Sequence, residues 1–138
     1  MLVLYCSGHR IIAMAGRLWR VDEERLNSAL ETVVERVKPV KIIAFGSRAT
    51  KTAQPDSDLD LAILFDGPPS GPISGKAWKT FAEFHIPVDL VNVSQAHHEK
   101  FSSSINGVHR EIAEKGVLLY DASTGRIHQD AVAAVSRG

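Results

Sequence analysis

A single cysteine, Cys6, stands among 138 residues, so no internal disulfide can form, and such usage suits a reducing compartment, the cytoplasm by default. Excess charge is missing as well: sixteen basic residues balance sixteen acidic ones. Without net positive charge the chain lacks the global field of a nucleic-acid binder, which argues against work on a nucleic-acid template. No apolar run approaches the ~20 residues of a membrane span. The stretch Leu2-Val3-Leu4-Tyr5-Cys6 is too short, and too soon followed by His9 and Arg10, for a secretory signal. Internal repeats and low-complexity tracts are absent. What remains is the length of one domain, able to bury roughly 68% of its unfolded surface.

Residues 1–20 read as a leader, with Met14 as an alternative native start, residues 21–121 as the domain, and residues 122–138 as a C-terminal tail. Asp22 is placed to cap a helix, and Val21 with Leu26 has the spacing of a hydrophobic staple. Leu26, Leu30, Val33, Val34 and Val37 share one face until Lys38-Pro39 ends the pattern. Strands are expected at 40–45, 58–65 and 86–93, where apolar and β-branched residues cluster. The Gly, Pro and Ser of 66–75 read as a loop, followed by a helix over about 76–84. Ser94 caps a helix from Gln95 that Ser102-Ser103-Ser104 interrupts; a helix resumes over 105–115 and stops at Gly116. Residues 117–120 make a short strand, expected at a sheet edge. In the tail, residues 131–135 read either as a turn of helix or as disordered. Helices and strands thus alternate along the chain.

The chemistry concentrates between two of those strands. Val40-Lys41-Ile42-Ile43-Ala44-Phe45 stops at Gly46, which has no Cβ and lets backbone approach a ligand. Ser47-Arg48-Ala49-Thr50 can then open a short helix whose free N–H groups attract an anion such as a triphosphate. Downstream, Asp58 and Asp60 lie two apart in a strand and share a face, while Leu59 and Leu61 turn to the core. Two neighbouring carboxylates repel, and the simplest compensation is a hard divalent cation; Mg²⁺ takes one or two carboxylates plus phosphate oxygens and water. Asp89, in the run Val88-Asp89-Leu90-Val91, offers a third carboxylate on the polar side of another strand.

Gly46-Ser47, Arg48-Ala49, Pro55-Asp56-Ser57-Asp58-Leu59-Asp60 and then Asp89 resemble the minimal nucleotidyltransferases of the polymerase-β superfamily. The resemblance covers most of the chain, and its core runs from about residue 40 to 93. It implies fold class α/β (α+β), a small mixed β-sheet packed with helices in the polymerase-β-like nucleotidyltransferase fold, in which Asp58, Asp60 and Asp89 are the catalytic residues and hold two Mg²⁺ ions, with Mn²⁺ as a substitute. It also implies that Gly46 and Ser47 hold the triphosphate. One position departs from the pattern: where the family commonly has a second glycine, this chain has Lys51, which either bends the loop differently or adds a phosphate contact. Arg48 can neutralise phosphate charge, although an Arg in a polar loop is more often simply solvated.

Other chemistry-bearing residues read as structural. His97 and His98 are adjacent on a helix, about 100° apart, and cannot share one ion well, so they are expected at the surface. His85 and His109 have no ligand-spaced partner, and Trp19 and Trp78 are expected to pack. The resulting expectation is an enzyme that transfers a nucleoside monophosphate, AMP from ATP, to a hydroxyl. Stand-alone proteins resembling this one act as antitoxins that modify a helical HEPN-type toxin, which makes a protein partner the expected acceptor. The alternatives are a small-molecule (aminoglycoside) nucleotidyltransferase, whose acceptor site an oligomer would complete, and a non-catalytic nucleotide-binding subunit that masks its partner.

Overall fold

The computed structural model describes residues 19–54, 57–104 and 107–137. Helix α1 (Glu23–Val37) starts where the Asp22 carboxylate accepts the Arg25 backbone N–H at 3.0 Å, filling one of the donors a helix start leaves open. It ends at Lys38, in the left-handed conformation. Then follow β1 (Lys41–Phe45), α2 (Ser47–Thr50), β2 (Leu59–Phe65), α3 (Gly71–Glu83) and β3 (Val88–Ser94). The chain continues through α4 (Gln95–Phe101), α5 (Val108–Lys115), β4 (Val117–Asp121), β5 (Arg126–Ile127) and α6 (Gln129–Arg137).

Among the described residues five strands form one mixed sheet in the order β3-β2-β1-β4-β5. Only β2 and β3 run parallel; β1 pairs antiparallel with both β2 and β4, and β4 with β5. The period of two divides the strands as the sequence implies. Ile42, Ala44, Leu59, Leu61, Ile63 and Leu119 pack on one face, where residues of α1, α3 and α6 complete the main core. Phe45, Ala62 and Leu64 turn to the other face, where Ile112 of α5 packs on them. Asp60 and Asp89 lie in phase with this second, more thinly covered face. The fold class is the small mixed sheet with helices that the resemblance implies, and among the described residues no helix is long and apolar enough to cross a membrane.

Beyond shifts of a residue or two at strand ends, four elements differ from the sequence reading. Helix α3 begins at Gly71, because Ser70 Oγ accepts the Ile73 N–H at 3.2 Å and Pro72 sits in the first turn; both are helix-start signals masked by the surrounding Gly and Pro. Strand β4 is not an edge, since the expected tail returns as β5 through a turn in which Asp121 Oδ1 accepts the Ser123 N–H at 2.9 Å. Residues 129–137 then form α6, whose Val132 and Val135 are buried in the main core. The small alanines around them weaken the periodic signal, and packing on the α1 side supplies the stability that propensity lacks. Helix α5 starts at Val108 rather than 105; residues 105 and 106 lie outside the described residues, as do Pro55, Asp56, Cys6 and the leader up to residue 18. Arg20 is described, and its N–H donates to the His85 carbonyl at 3.2 Å.

Candidate active site

The site grows from the end of β1. Gly46 has φ 74 and ψ −157, a region that only glycine enters without strain, and a Cβ there would overlap the Asp60 carboxylate. Glycine is therefore required twice, for conformation and for close approach. The Ala49 and Thr50 N–H groups both donate to the Gly46 carbonyl at 3.1 Å and close the turn that carries Ser47. Lys51 ends α2 with φ 63 and ψ 35, its N–H donating to the Ser47 carbonyl. This is the left-handed conformation that a glycine would adopt more cheaply, so Lys51 preserves the turn instead of redirecting it. Its side chain is exposed.

The carboxylates come from the neighbouring strands. Asp60 of β2 and Asp89 of β3 are register partners, hence side by side on the same face at the inter-strand spacing of about 4.8 Å. Asp58 is exposed and lies one residue before β2 begins, outside the strand in which the sequence places it. The Asp60 carboxyl is pushed above its usual range, first by burial and then by the charges of Asp89, Asp58 and Glu111. Glu111, on α5, is a fourth acidic neighbour that no motif announces: it sits far along the chain on an ordinary amphipathic helix, and only tertiary packing brings it near.

Asp58, Asp60 and Asp89 thus meet electrostatically around Asp60. Among the described residues, however, no three His, Cys, Asp or Glu side chains converge into a metal-binding group. The expected three-aspartate cage is not closed. The Asp60–Asp89 pair nonetheless fits the donor set that Mg²⁺ uses, one or two carboxylates with the rest of its shell from phosphate and water. Desolvation and crowding of negative charge at Asp60 are the conditions that a cation relieves.

Arg48 is neither solvated nor free in the loop. It is 3% exposed; its Nε donates to the Ser57 carbonyl at 3.1 Å, and its Nη1 to the Val135 and Ser136 carbonyls at 3.3 and 3.0 Å. A cation on the last carbonyls of α6 satisfies acceptors that a helix end leaves open. These donors tie the Gly46 turn to the C-terminal helix. Burial lowers the pKa of the guanidinium, and the charge of Asp58 opposes that shift.

Two further expectations change. His98 is buried, not at the surface, and its Nδ1 lies 3.1 Å from Nδ1 of His109, joining α4 to α5; His109 finds in space the partner it lacks in sequence. Trp78, expected to pack, is 54% exposed, whereas Trp19 does pack, edge-on against His85, with 37% of its surface exposed. They flank a groove of about 210 Å³ that Asp58 also lines.

No curated protein sequence matches this chain. Among solved structures it is similar to a candidate nucleotidyltransferase from Sulfolobus solfataricus, at 17% identity and TM-score 0.52 over 83% of this chain and 91% of that one. A second similar structure, of a toxin–antitoxin with AMP-PNP, has 19% identity and TM-score 0.49 over 83% of this chain and 81% of that one. At such identity the first likeness speaks for the fold alone. The family model of the nucleotidyltransferase domain matches residues 26–123, a span that holds the Gly46 turn, Asp58, Asp60, Asp89 and Glu111, and this chain accordingly belongs to the nucleotidyltransferase domain family.

Proposed function

We propose that this nucleotidyltransferase moves AMP from ATP to a hydroxyl of a partner protein, with Asp58, Asp60 and Asp89 as the catalytic carboxylates. The observation that carries the reading is the Asp60–Asp89 register pair with the Gly46 turn pressed against it. Gly46 and Ser47 cradle the β- and γ-phosphates, and Lys51, exposed at the end of the same turn, adds positive charge to them. Arg48 holds that turn in place from beneath rather than touching the nucleotide. Asp60 and Asp89, with Asp58 beside them, would hold Mg²⁺ or Mn²⁺, which when bound supplies charge neutralisation for the triphosphate and the leaving pyrophosphate.

In the transfer the acceptor oxygen bonds to the α-phosphorus, the bond from that phosphorus to the α–β bridging oxygen breaks, and pyrophosphate leaves with its electron pair. Asp89, exposed at the side of the sheet away from the phosphate turn, takes the hydroxyl proton. The chain's main contribution is to place these groups in line, because such transfer asks little covalent chemistry of the protein. The resemblance to stand-alone minimal nucleotidyltransferases supports a HEPN-type toxin as the partner and an antitoxin role. The lone cysteine supports a cytoplasmic setting.

Incubation with α-labelled ATP, Mg²⁺ and the product of the neighbouring gene tests the proposal. Label should pass to a Ser, Thr or Tyr of that partner, and Asp58→Asn with Asp60→Asn should abolish it. Normal ATP binding with no nucleotide added to any co-purifying protein would favour the masking subunit instead.

A further inference from the structure

His97 and His98 are ill placed to share an ion, but the fold brings a different pair of imidazoles together. Helices α4 and α5 pack on each other, and their His98 and His109 meet Nδ1 to Nδ1 at 3.1 Å. This place is set apart from the carboxylates. Asp60 and Asp89 pair near the start of β2 and β3, whereas α4 leaves β3 at Ser94, whose register partner is Phe65 at the end of β2. At about 3.3 Å per residue the two ends lie roughly 16 Å apart. The charge of Lys41, the first residue of β1 and the partner of Leu64, bears on His98 at this far end.

The pair has the bite of a chelate. Two ring nitrogens bound at about 2.0–2.1 Å to one ion stand about 2.9 Å apart at a right angle and about 3.3 Å apart at the tetrahedral angle, and the observed separation lies between the two. Burial disfavours the charged form of both rings, and the neutral imidazole is the form that ligates. Packing holds the rings in place: His98 is buried, and the rings of His97 and Phe101 stand 5.2 and 6.5 Å from that of His109. Nitrogen donors favour a borderline ion such as Zn²⁺ over Mg²⁺, which takes oxygen. Among the described residues no third His, Cys, Asp or Glu joins the pair, so the remaining positions fall to water.

We infer that His98 and His109 chelate Zn²⁺ between α4 and α5, at a site separate from the carboxylates and independent of the transferase reading. Without the ion one Nδ1 donates to the other. With it both Nδ1 lone pairs face the ion and both rings carry their proton on Nε2, so no net proton is released. The ion then cross-links two helices that are joined only through residues 102–107, and it fixes α5, whose Ile112 covers the second sheet face.

Calorimetric titration of the full chain with Zn²⁺, at neutral pH and in excess Mg²⁺, tests the site. One ion should bind per chain, and the melting temperature should rise with Zn²⁺ concentration, as it does for any ligand of the folded state. His98→Gln and His109→Gln should each weaken binding roughly tenfold or more, since even groups that only support a metal's ligands are worth that much. His97→Gln, and Asp60→Asn with Asp89→Asn, should bind as the wild type does. Imidazole nitrogen resonances of the wild type give a reading that needs no variant to fold: Zn²⁺ should shift both Nδ1 signals and leave both Nε2 protonated. Absence of binding at millimolar Zn²⁺ overturns the proposal, as do unshifted Nδ1 signals. Binding that survives in both His98→Gln and His109→Gln overturns it too, and so does binding lost with Asp60→Asn and Asp89→Asn, which would put the ion at the carboxylates.

Discussion

Asp89 stands beside Asp60 in the parallel register of β2 and β3, so two carboxylates of different strands face the same side one strand spacing apart. Neither has an ion-pair partner within 4.0 Å among the described residues. Charge there is costly to the fold, and that cost is available to whatever cation or proton relieves it.

Replacing Asp60 by Asn should therefore stabilise the protein at neutral pH while nucleotidyl transfer falls by about a hundredfold or more. The sign follows from the raised pKa of Asp60, caused first by burial and then by Asp89, Asp58 and Glu111. A carboxyl that holds its proton more tightly when folded adds most stability below its unfolded pKa of about 3.9, and that contribution is lost as pH rises through the folded value. Melting temperatures at pH 7 and pH 4 check it: the variant should exceed the wild type at pH 7, and the gap should close on acidification. A lower melting temperature at pH 7 would mean that Asp60 is held by favourable partners.

Lys51→Gly should raise stability by about 0.5 kcal/mol, because removing a left-handed side-chain conformation worth roughly 1–2 kcal/mol outweighs the roughly 0.5–1 kcal/mol of extra unfolded-state entropy that glycine brings. Lys51→Ala keeps the strained conformation and should show no gain. Both should weaken ATP binding, and the loss should shrink at high salt as charge is screened. An unchanged dissociation constant in Lys51→Ala removes the phosphate role.

Arg48→Ala should cost about 3 kcal/mol in urea unfolding, since it strands the carbonyls of Ser57, Val135 and Ser136 that the guanidinium serves and buried acceptors left unpaired are expensive. Arg48→Lys keeps the charge without the planar fork and should recover less than half. Limited proteolysis should cut first near α6 in both. Wild-type stability in Arg48→Ala would show that the α2–α6 link is idle.

Stability should fall as the solution is acidified below about pH 6.5, in part because of His98. Its pKa is lowered, burial outweighing the opposing charge of Glu99 and acting with that of Lys41; that of His109 is lowered by burial and by His98 and His97. Neutral rings are thus favoured by the fold, and their contribution is complete above the unfolded pKa and lost as pH drops through it toward the folded value. One Nδ1 must donate and the other accept, so charging both breaks the contact. His98→Gln should flatten the stability profile between pH 7 and 5; an unaltered slope would assign the acid limb to other groups.

The Gly46 turn and the strand face of Asp60 were legible because their signals are local, whereas the strand expected to carry Asp58 begins only at Leu59. A glycine ending an apolar strand, an aspartate alternating with core leucines and a capped amphipathic helix each depend on residues a few positions apart, and the helix and strand periods place their side chains without knowledge of the rest. The helix start at Ser70 was equally local but hidden by composition, since Gly71, Pro72 and Gly75 speak for a loop until the Ser70 cap is seen.

What the amino-acid sequence alone determined was the chemistry available: which residues bear charge, which strand faces they occupy and where the backbone must be glycine. Only the tertiary structure decided who meets whom. It set Asp89 beside Asp60 through a parallel pairing, and brought Glu111 toward the pair from a helix. It buried Arg48 under the end of α6, joined His98 to His109, set Trp19 against His85 and left Trp78 half exposed. These contacts join residues far apart in the chain, and they form because burying both sheet faces outweighs the entropy of closing the loops between them, a balance that no short window of sequence contains.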